Sequence, residues 1–193
     1  MISIDCEMTG IDFCRCSLIS VGAIDLSNPE RRIYLEMKPF DGAFLDDEGL
    51  AINGFTKEQL EKIPLSQKEG LEQLKKFLDE SDGRTVVGQN VAADIIFLNM
   101  SFVREGVDCK IPYRAFDLHS AVCAKLLLNK EPIPMKERKS TLNLDVLLNM
   151  AGIPDEPKPH NALTGALSAA EVYFRLIEGK SVLPEFSSFK FEK

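Results

Sequence analysis

The spacing of hydrophobic residues changes along the chain from one that suits strands to one that suits helices. Three apolar runs come first, at residues 2–5, 18–26 and 31–37, and a Ser-Asn-Pro-Glu turn at 27–30 separates the last two. Strands joined by such short links are typical of an antiparallel meander.

Helical spacing begins at Thr56, a predicted N-cap with Glu58 in the first turn of its helix. Residues 66–80 place their apolar side chains on one helical face. The remaining predicted elements are brief strands at 85–87 and 113–116, and helices at 92–105, 142–150, 162–177 and in the segment that ends at 128. This order predicts an α/β fold in which a mixed five-stranded sheet, with three antiparallel strands first, is flanked by helices.

The size and composition of the chain fit one globular domain. It has 193 residues, of which 45% are hydrophobic and 27% charged, enough for a sizeable core. We assign residues 1–179 to this domain and residues 180–193 to a C-terminal tail. The tail has three Phe within six residues, so we expect it to pack against either its own domain or a partner.

The composition also argues against several classes of protein. No stretch suits a bilayer-spanning helix, and Asp5 and Glu7 interrupt the apolar run that a signal peptide needs. We therefore expect a cytoplasmic protein with no membrane partner, whose five Cys are free thiols. With only His119 and His160 in the chain, a zinc site is not favoured.

The charge of the chain limits how it can bind nucleic acid. A net charge of −7 and a pI near 5.0 argue against broad electrostatic coating of a strand. They do not argue against holding one strand end through bound cations. The only dense basic run contains Lys136, Arg138 and Lys139. An ordinary exposed loop is the favoured interpretation of this run, and contact with a substrate backbone is the alternative.

Two acids near the end of the first strand are the first chemical signal. Asp5 and Glu7 are two residues apart, so they point to the same face of a strand. Adjacent carboxylates repel each other and raise one pKa, and a hard divalent cation removes this conflict. Asp5 and Glu7 alone are consistent with either a metal site or a solvent-exposed strand end.

Two later residues, Asp94 and His160, have side chains that could also serve a metal site. Asp94 lies in a predicted helix just after a strand that ends at Gly88, and the apolar residues that follow it disfavour a simple solvent-facing role. His160 stands before a long helix of small residues. There it is either a packing or surface residue or, near a metal-bound water, a general base.

Together these motifs resemble a known family. Asp-x-Glu on the first strand, Asp94 within Gly-Gln-Asn-x3-Asp-x2-Phe-Leu, and His160 at the head of a late helix are similar to the DEDDh 3′–5′ exonucleases. These are DnaQ-like members of the ribonuclease H-like fold and include proofreading subunits, ribonuclease T and oligoribonuclease. The resemblance extends from residue 2 to about residue 179 and implies a ribonuclease H-like α/β sheet.

The resemblance implies a catalytic role for each of four residues. Asp5, Glu7 and Asp94 match the family's ligands for two divalent cations, Mg²⁺ or Mn²⁺. His160 matches the general base that takes a proton from the attacking water. These four residues are therefore the catalytic candidates, and the first three are the metal candidates.

The resemblance also implies where a substrate binds. Met8, Thr9 and Gly10 match the segment that lies against the terminal nucleotide, and Asn90 lies in the matching second-motif loop. The partner implied is the 3′ end of single-stranded DNA or RNA. Asp117 matches a frequent acid of the family, and we expect it to be structural because capping the next helix is a sufficient role.

One position departs from the family. Its fourth acid falls five residues after the His, and here that residue is Gly165. Thr164 is a poor substitute for a carboxylate, and Glu171 lies two helical turns further along. With three acids instead of four, we expect one metal to bind more weakly and the site to be impaired or built differently.

Three functions are consistent with the residues to different degrees. The leading hypothesis is a metal-dependent 3′–5′ exonuclease that releases nucleoside 5′-monophosphates. The alternative, motivated by Gly165, is a catalytically weak or inactive protein that binds nucleic-acid ends or a protein partner. A phosphotransferase with Asp5 as nucleophile is disfavoured, because three antiparallel strands do not suit a parallel doubly wound sheet. The sequence does not determine whether the substrate is DNA or RNA, or whether the protein is a monomer or a homodimer.

Overall fold

A mixed five-stranded sheet forms the centre of the protein. The computed structural model describes residues 1–191. The strands of this sheet are β1 (Ile2–Met8), β2 (Leu18–Asp25), β3 (Arg32–Glu36), β4 (Val86–Gly88) and β5 (Phe116–Asp117). They are ordered β3-β2-β1-β4-β5, with β1, β2 and β3 antiparallel and β4 and β5 parallel to β1. The predicted mixed sheet is confirmed.

Helices follow the meander and alternate with the last two strands of the sheet. The α-helices of residues 1–191 are α1 (Asp47–Asn53), α2 (Lys57–Lys62), α3 (Gln67–Asp79), α4 (Ala92–Glu105), α5 (Leu118–Leu128), α6 (Leu144–Met150) and α7 (Ala162–Val172). None of them is both long and apolar enough to cross a bilayer. A small hairpin, β6 (Met135–Lys136) and β7 (Lys139–Ser140), lies between α5 and α6.

Side chains that the sequence marks as caps fix several helix ends. Thr56 accepts a hydrogen bond from the N–H of Gln59 at 3.2 Å, and its own N–H donates to the Gln59 side chain at 2.7 Å. The Asp117 carboxylate accepts from the N–H of Ser120 at 2.9 Å. The predicted capping role of Asp117 is confirmed, and this acid is therefore engaged in starting α5.

Helices cover both faces of the sheet, and β1 contributes to both layers. Ile2, Ile4 and Cys6 pack in the core formed with α3 and α4. The hydroxyl of Ser3 instead donates to the backbone oxygen of Ala166 in α7, at 2.8 Å. Because side chains alternate along a strand, Asp5 and Glu7 share the face of Ser3 and are directed toward α7.

Some elements differ from the sequence expectation. β5 begins at Phe116 instead of residue 113, and α7 passes at Tyr173–Glu178 into a π-helical turn instead of remaining α-helical to 177. α1 was not expected, because it is short and contains Gly49. The basic run lies on the exposed β6–β7 hairpin, in agreement with its favoured interpretation.

The C-terminal tail packs against its own domain. Phe186 and Phe189 lie against the core that α5, α6 and α7 share. Their backbone oxygens accept hydrogen bonds from the buried guanidinium of Arg175, at 2.9 and 3.1 Å. Residues 192–193, the last two of the predicted tail, lie outside the described residues. The division at residue 179 stays a prediction.

Candidate active site

The C-terminal half of β1 presents two acids to α7 at short range. Asp5 pairs across the sheet with Gly22, and Glu7 pairs with Ser20. A Cβ on Gly22 would lie 2.2 Å from the backbone oxygen of Ala162, the first residue of α7. The absence of a side chain at Gly22 therefore lets α7 approach the sheet closely beside Asp5.

Gly165 lies directly against the Asp5 side chain. A Cβ on Gly165 would be 2.3 Å from Oδ2 and 2.7 Å from Cγ of Asp5. The Asp5 carboxyl thus occupies the space that any side chain at position 165 would need. A side chain at position 165 and Asp5 in this conformation therefore cannot both be accommodated. The conformation of Asp5 depends on the residue at position 165 being glycine.

Asp94, in the first turn of α4, joins this group from the other side of β1. Its side chain is buried, and its charge acts on both Asp5 and Glu7. Cys6, which lies between the two β1 acids in sequence, lowers the pKa of the Asp94 carboxyl through its backbone N–H and its thiol, against the larger effect of burial. The structure therefore brings the three predicted metal ligands into electrostatic range of one another.

Burial and mutual repulsion raise the pKa values of these acids. Burial, followed by the charges of Asp94, Glu7 and Glu156, raises the pKa of Asp5 well above its usual value. Burial, followed by Glu156 and Asp94, raises the pKa of Glu7 to about 7. Burial raises the pKa of Asp94 to about 7, although hydrogen bonds from Cys6 favour its charged form.

Glu156 is an acid of this group that the sequence interpretation missed. It lies in the loop between α6 and α7, is 7% exposed, and places Oε2 3.7 Å from Nδ1 of His160. Burial, followed by the charge of Asp145, raises its pKa to about 7. In the sequence, Glu156 is marked only by its position four residues before His160. It lies in a loop, so no periodic pattern could relate it to the acids of β1.

His160 lies at the edge of an open pocket, and its ring approaches Glu156. Its side chain is 37% exposed, and its backbone N–H donates to the oxygen of Ile52 at the end of α1, at 3.2 Å. The pocket has a volume of about 310 Å³ and is also lined by Asn53 and Asn161. Asn161 caps α7 by accepting two backbone N–H hydrogen bonds, so the helix start fixes the neighbouring His160.

The segment after β1 is held rigidly. Thr9 is fully buried, and its hydroxyl donates to the oxygen of Phe44 at 2.7 Å and accepts from the N–H of Ser17 at 2.8 Å. A Cβ on Gly10 would lie 2.8 Å from Sγ of Cys16. The Thr9 side chain and Gly10 therefore fix the backbone here, and contact of this segment with a nucleotide stays a prediction.

The other two predicted substrate residues, Met8 and Asn90, lie near different pockets. The backbone oxygen of Met8 accepts from the amide of Asn53 at 3.0 Å, beside the His160 pocket. Asn90 is exposed in the loop between β4 and α4, with a left-handed φ of 53°. It borders a separate open pocket with Asp117. The structure does not bring Asn90 into the His160 pocket.

The chemistry of the acid group fits a hard divalent cation. Among the ion pairs of residues 1–191, none includes Asp5, Glu7 or Asp94, so like charges stand close together without a basic partner. Within the same residues, no three His, Cys, Asp or Glu side chains form a group that could hold a metal ion by themselves. Mg²⁺ does not need such a cage, because it keeps several waters and combines one or two carboxylates with substrate phosphates.

Comparison with known families shows which family the chain belongs to. A family model described as Exonuclease matches residues 2–173. The chain belongs to this exonuclease family. The predicted family, of the DEDDh type with a ribonuclease H-like fold, is confirmed. No match was found among curated proteins.

Solved structures share the fold of this chain at low sequence identity. The zinc-bound complex of exonuclease I from E. coli with single-stranded DNA has a TM-score of 0.73 and 16% identity, covering 92% of this chain and 40% of the other. Exonuclease I from Methylocaldum szegediense has a TM-score of 0.72 and 20% identity, covering 93% and 41%. The nuclease domain of 3′hExo, a DEDDh family member bound to rAMP, has a TM-score of 0.66 and 15% identity, covering 100% and 95%.

These lengths limit the comparison with exonuclease I. The chain spans about 40% of the E. coli exonuclease I chain that it matches, but 95% of the 3′hExo nuclease domain. The shared part therefore has the extent of the 3′hExo nuclease domain, and the similarity at these identities concerns its fold.

Proposed function

We propose that this exonuclease is a metal-dependent 3′–5′ enzyme that hydrolyses the terminal phosphodiester of a nucleic-acid strand and releases nucleoside 5′-monophosphates. The observation that carries the proposal is the group of Asp5, Glu7 and Asp94, in which Glu7 and Asp94 are buried and Asp5 is half-buried, and which has no basic partner among the described ion pairs. The family resemblance implies that these acids bind the metal and that His160 is the general base.

Asp5, Glu7 and Asp94 would hold Mg²⁺ or Mn²⁺. A divalent cation there would lower the pKa of an attacking water and stabilise charge on the leaving oxygen. Cations held there would orient the scissile phosphate, and Glu7 and Asp94 are buried on either side of Cys6. Weaker binding of one cation follows from the absence of a carboxylate at Gly165.

His160 is the proposed general base. An imidazole has an ordinary pKa near neutrality, so it accepts a proton from water at physiological pH. Nδ1 of His160 faces the Glu156 carboxylate, so the other ring nitrogen is the one available to the water. The partial exposure of the ring next to a 310 Å³ pocket supports access of a strand end.

The proposed substrate is the 3′ end of single-stranded DNA or RNA. Solved structures with the same fold include exonuclease I bound to a 5cy-dT13 and to a dA16 oligonucleotide. The net charge of −7 favours binding at one cation-bridged end over coating of a long strand. We further propose that the protein acts in the cytoplasm, a prediction supported by its free cysteines.

The competing function is binding without hydrolysis, and Gly165 is the observation that favours it. A 3′-labelled single strand, as RNA and as DNA, is incubated with the protein and Mn²⁺ or Mg²⁺. We expect nucleoside 5′-monophosphates from the wild type and none from Asp5→Asn. A strand that binds but stays intact with the wild type in both metals would reject the exonuclease and leave the binding protein.

A further inference from the structure

The first turn of α7 packs on one row of residues that crosses the sheet. The strand register places Asp5, Gly22 and Tyr34 side by side on β1, β2 and β3, so these residues share the face that α7 covers. The helix start lies over the middle of the row, since a Cβ on Gly22 would be 2.2 Å from the oxygen of Ala162. Gly165 lies against Asp5, where its Cβ would be 2.3 Å from Oδ2. One end of the row therefore contacts the helix through Asp5.

The other end of the row, Tyr34, forms a hydrogen bond with the residue that caps α7. Nδ2 of Asn161 donates to the Tyr34 hydroxyl at 2.9 Å, and that hydroxyl donates its own proton to Oε1 of Glu36 at 2.7 Å. Oδ1 of Asn161 accepts the backbone N–H groups of Leu163 and Thr164, at 3.0 and 3.2 Å. Because the cap uses the amide oxygen, the amide nitrogen is the group that faces Tyr34. Tyr34 therefore fixes the position and the orientation of the Asn161 amide.

His160 immediately precedes this cap. Its backbone N–H donates to the oxygen of Ile52 in α1, at 3.2 Å, and its ring lines the 310 Å³ pocket together with Tyr34 and Asn161. The ion-pair contact of the ring, 3.7 Å from Nδ1 to Glu156, is too long for a hydrogen bond. The backbone on either side of His160 therefore governs where the imidazole lies, and Asn161 holds one of these sides.

We propose that Tyr34 is a positioning residue for His160, the proposed general base. Through Asn161 it fixes the start of α7 relative to the strand row that contains Asp5, so that the imidazole and the first acid keep a set separation. This inference rests on the proposed function of the same site. The part of it that concerns the position of His160 can be tested without turnover.

The first measurement follows the histidine ring signals of the full chain in ¹³C–¹H spectra. The chain has two His, so His119→Gln identifies the signal of His160, and His119 itself is an internal reference. Tyr34→Phe keeps the aromatic ring and removes the hydroxyl. Tyr113→Phe is the matched control, because it removes an exposed phenol hydroxyl that lines other pockets. Circular dichroism and thermal unfolding check that both variants fold.

We expect Tyr34→Phe to shift or broaden the His160 signal and to leave the His119 signal in place. Tyr113→Phe should leave the His160 signal as it is in the wild type. Asn161→Ser breaks the same link from the helix side, since Ser keeps an oxygen that can cap α7 but has no amide to donate to Tyr34. This variant should change the His160 signal in the same way. A wild-type His160 signal in both Tyr34→Phe and Asn161→Ser would overturn the proposal.

Turnover gives a second readout. Tyr34→Phe should lower kcat about 10-fold or more at a nearly unchanged KM, because misplacing a reacting group by about 1 Å can cost about 100-fold in rate. Tyr113→Phe should keep both constants. A higher KM with an unchanged kcat would reject the proposal, since Tyr34 would then contribute only to substrate binding. A lower kcat with a wild-type His160 signal would reject it too, because Tyr34 would not act through His160.

The proposed function and the role of Tyr34 fail in different ways. A His160 signal that responds to Tyr34→Phe, in a protein that leaves labelled strands intact, supports the positioning of His160 by Tyr34 and rejects the exonuclease. Nucleotide release by the wild type, with the same kcat in Tyr34→Phe, keeps the exonuclease and rejects the role of Tyr34 whether or not the His160 signal moves.

Discussion

At the scale of single residues, the site is a group of carboxylates that the fold holds together against their repulsion. Glu7 shows the consequence most clearly, because burial and the charges of Glu156 and Asp94 raise its pKa from 4.5 to about 7. Its protonated form is therefore favoured by folding. Stabilisation of this kind is full below the unfolded pKa and is lost as the pH rises toward the folded value.

We predict that the free energy of unfolding in EDTA falls between pH 4.5 and about 7 more steeply for the wild type than for Glu7→Gln. The folded wild type binds more protons than the unfolded chain over this interval, so its stability decreases with pH. Urea unfolding at several pH values measures the difference. If the free energy of unfolding depended on pH in the same way in both proteins, the surroundings would not destabilise the charged form of Glu7.

A second prediction distinguishes the effect of adding any side chain at position 165 from the effect of adding a carboxylate there. Gly165→Ala and Gly165→Asp both place a Cβ 2.3 Å from Oδ2 of Asp5 unless Asp5 turns away. We expect Gly165→Ala to lose about 10-fold or more in Mn²⁺-dependent nucleotide release, since a displaced ligand weakens the metal site. Gly165→Asp should exceed it, because this variant adds a carboxylate. Wild-type turnover in Gly165→Ala, or equal turnover in both variants, contradicts the coupling of Asp5 to Gly165.

The sequence marks four of these candidate residues by local pattern and does not mark Glu156, for a physical reason. Asp5 and Glu7 share a strand face through a period of two, and Asp94 and His160 lie at helix starts, so local pattern marks all four. Glu156 lies in an irregular loop whose conformation depends on contacts with α6 and α1. No local pattern reports such contacts.

At the scale of elements, the packing of α7 against the sheet determines what surrounds Asp5 in the candidate site. Gly22 makes this possible, because a side chain there would run into the backbone oxygen of Ala162. A backbone atom cannot move aside as a side-chain tip can. Ser3 adds a buried hydrogen bond to Ala166 of the same helix. The distance between α7 and β1 is therefore set by small residues on both elements.

We predict that Gly22→Ala lowers the free energy of unfolding by about 1–3 kcal/mol, the usual cost of overpacking a core, and also weakens Mn²⁺ binding. Its Cβ would lie 2.2 Å from the Ala162 oxygen. Gly83→Ala is the matched control, since the nearest atom to its Cβ would be 3.9 Å away. Urea unfolding measures both variants. A Gly22→Ala protein as stable as Gly83→Ala would mean that α7 does not need this close approach.

The elements that sequence reasoning missed or misjudged are those with weak local signals. α4 was predicted with its observed bounds, Ala92–Glu105, because a clear helical pattern ends at Gly106. α1 has Gly49 near its centre and few apolar residues, so its formation depends on packing beside Thr9 and Gly10. The change from α7 to a π-helical turn at Tyr173 likewise has no periodic signature.

At the scale of the whole molecule, the predicted C-terminal tail packs onto the rest of the chain in the described residues. The guanidinium of Arg175 is fully buried, pairs with Glu171 at 2.7 Å and holds the backbone oxygens of Phe186 and Phe189. The sequence indicated a packed tail from its Phe content but left its partner open. A buried Arg in a helix could not be identified as the anchor without the fold.

We predict that Arg175→Met destabilises the protein by about 3–5 kcal/mol, since removing one partner leaves a buried charge unpaired. Lys180→Met is the control, because the Lys180–Glu178 pair is largely exposed and such pairs contribute about 1 kcal/mol or less. Chemical unfolding followed by circular dichroism measures both. Similar losses in the two variants would show that Arg175 is not the anchor of the tail.

The most direct measurement of the central claim is anomalous diffraction from crystals grown with Mn²⁺ and a nucleoside 5′-monophosphate. We predict Mn²⁺ bound by carboxylate oxygens of Asp5, Glu7 and Asp94 at about 2.0–2.2 Å, near the distances of hard-cation sites, and in contact with the phosphate. Mn²⁺ found only at other acids, with these three carboxylates unbound, would contradict the account.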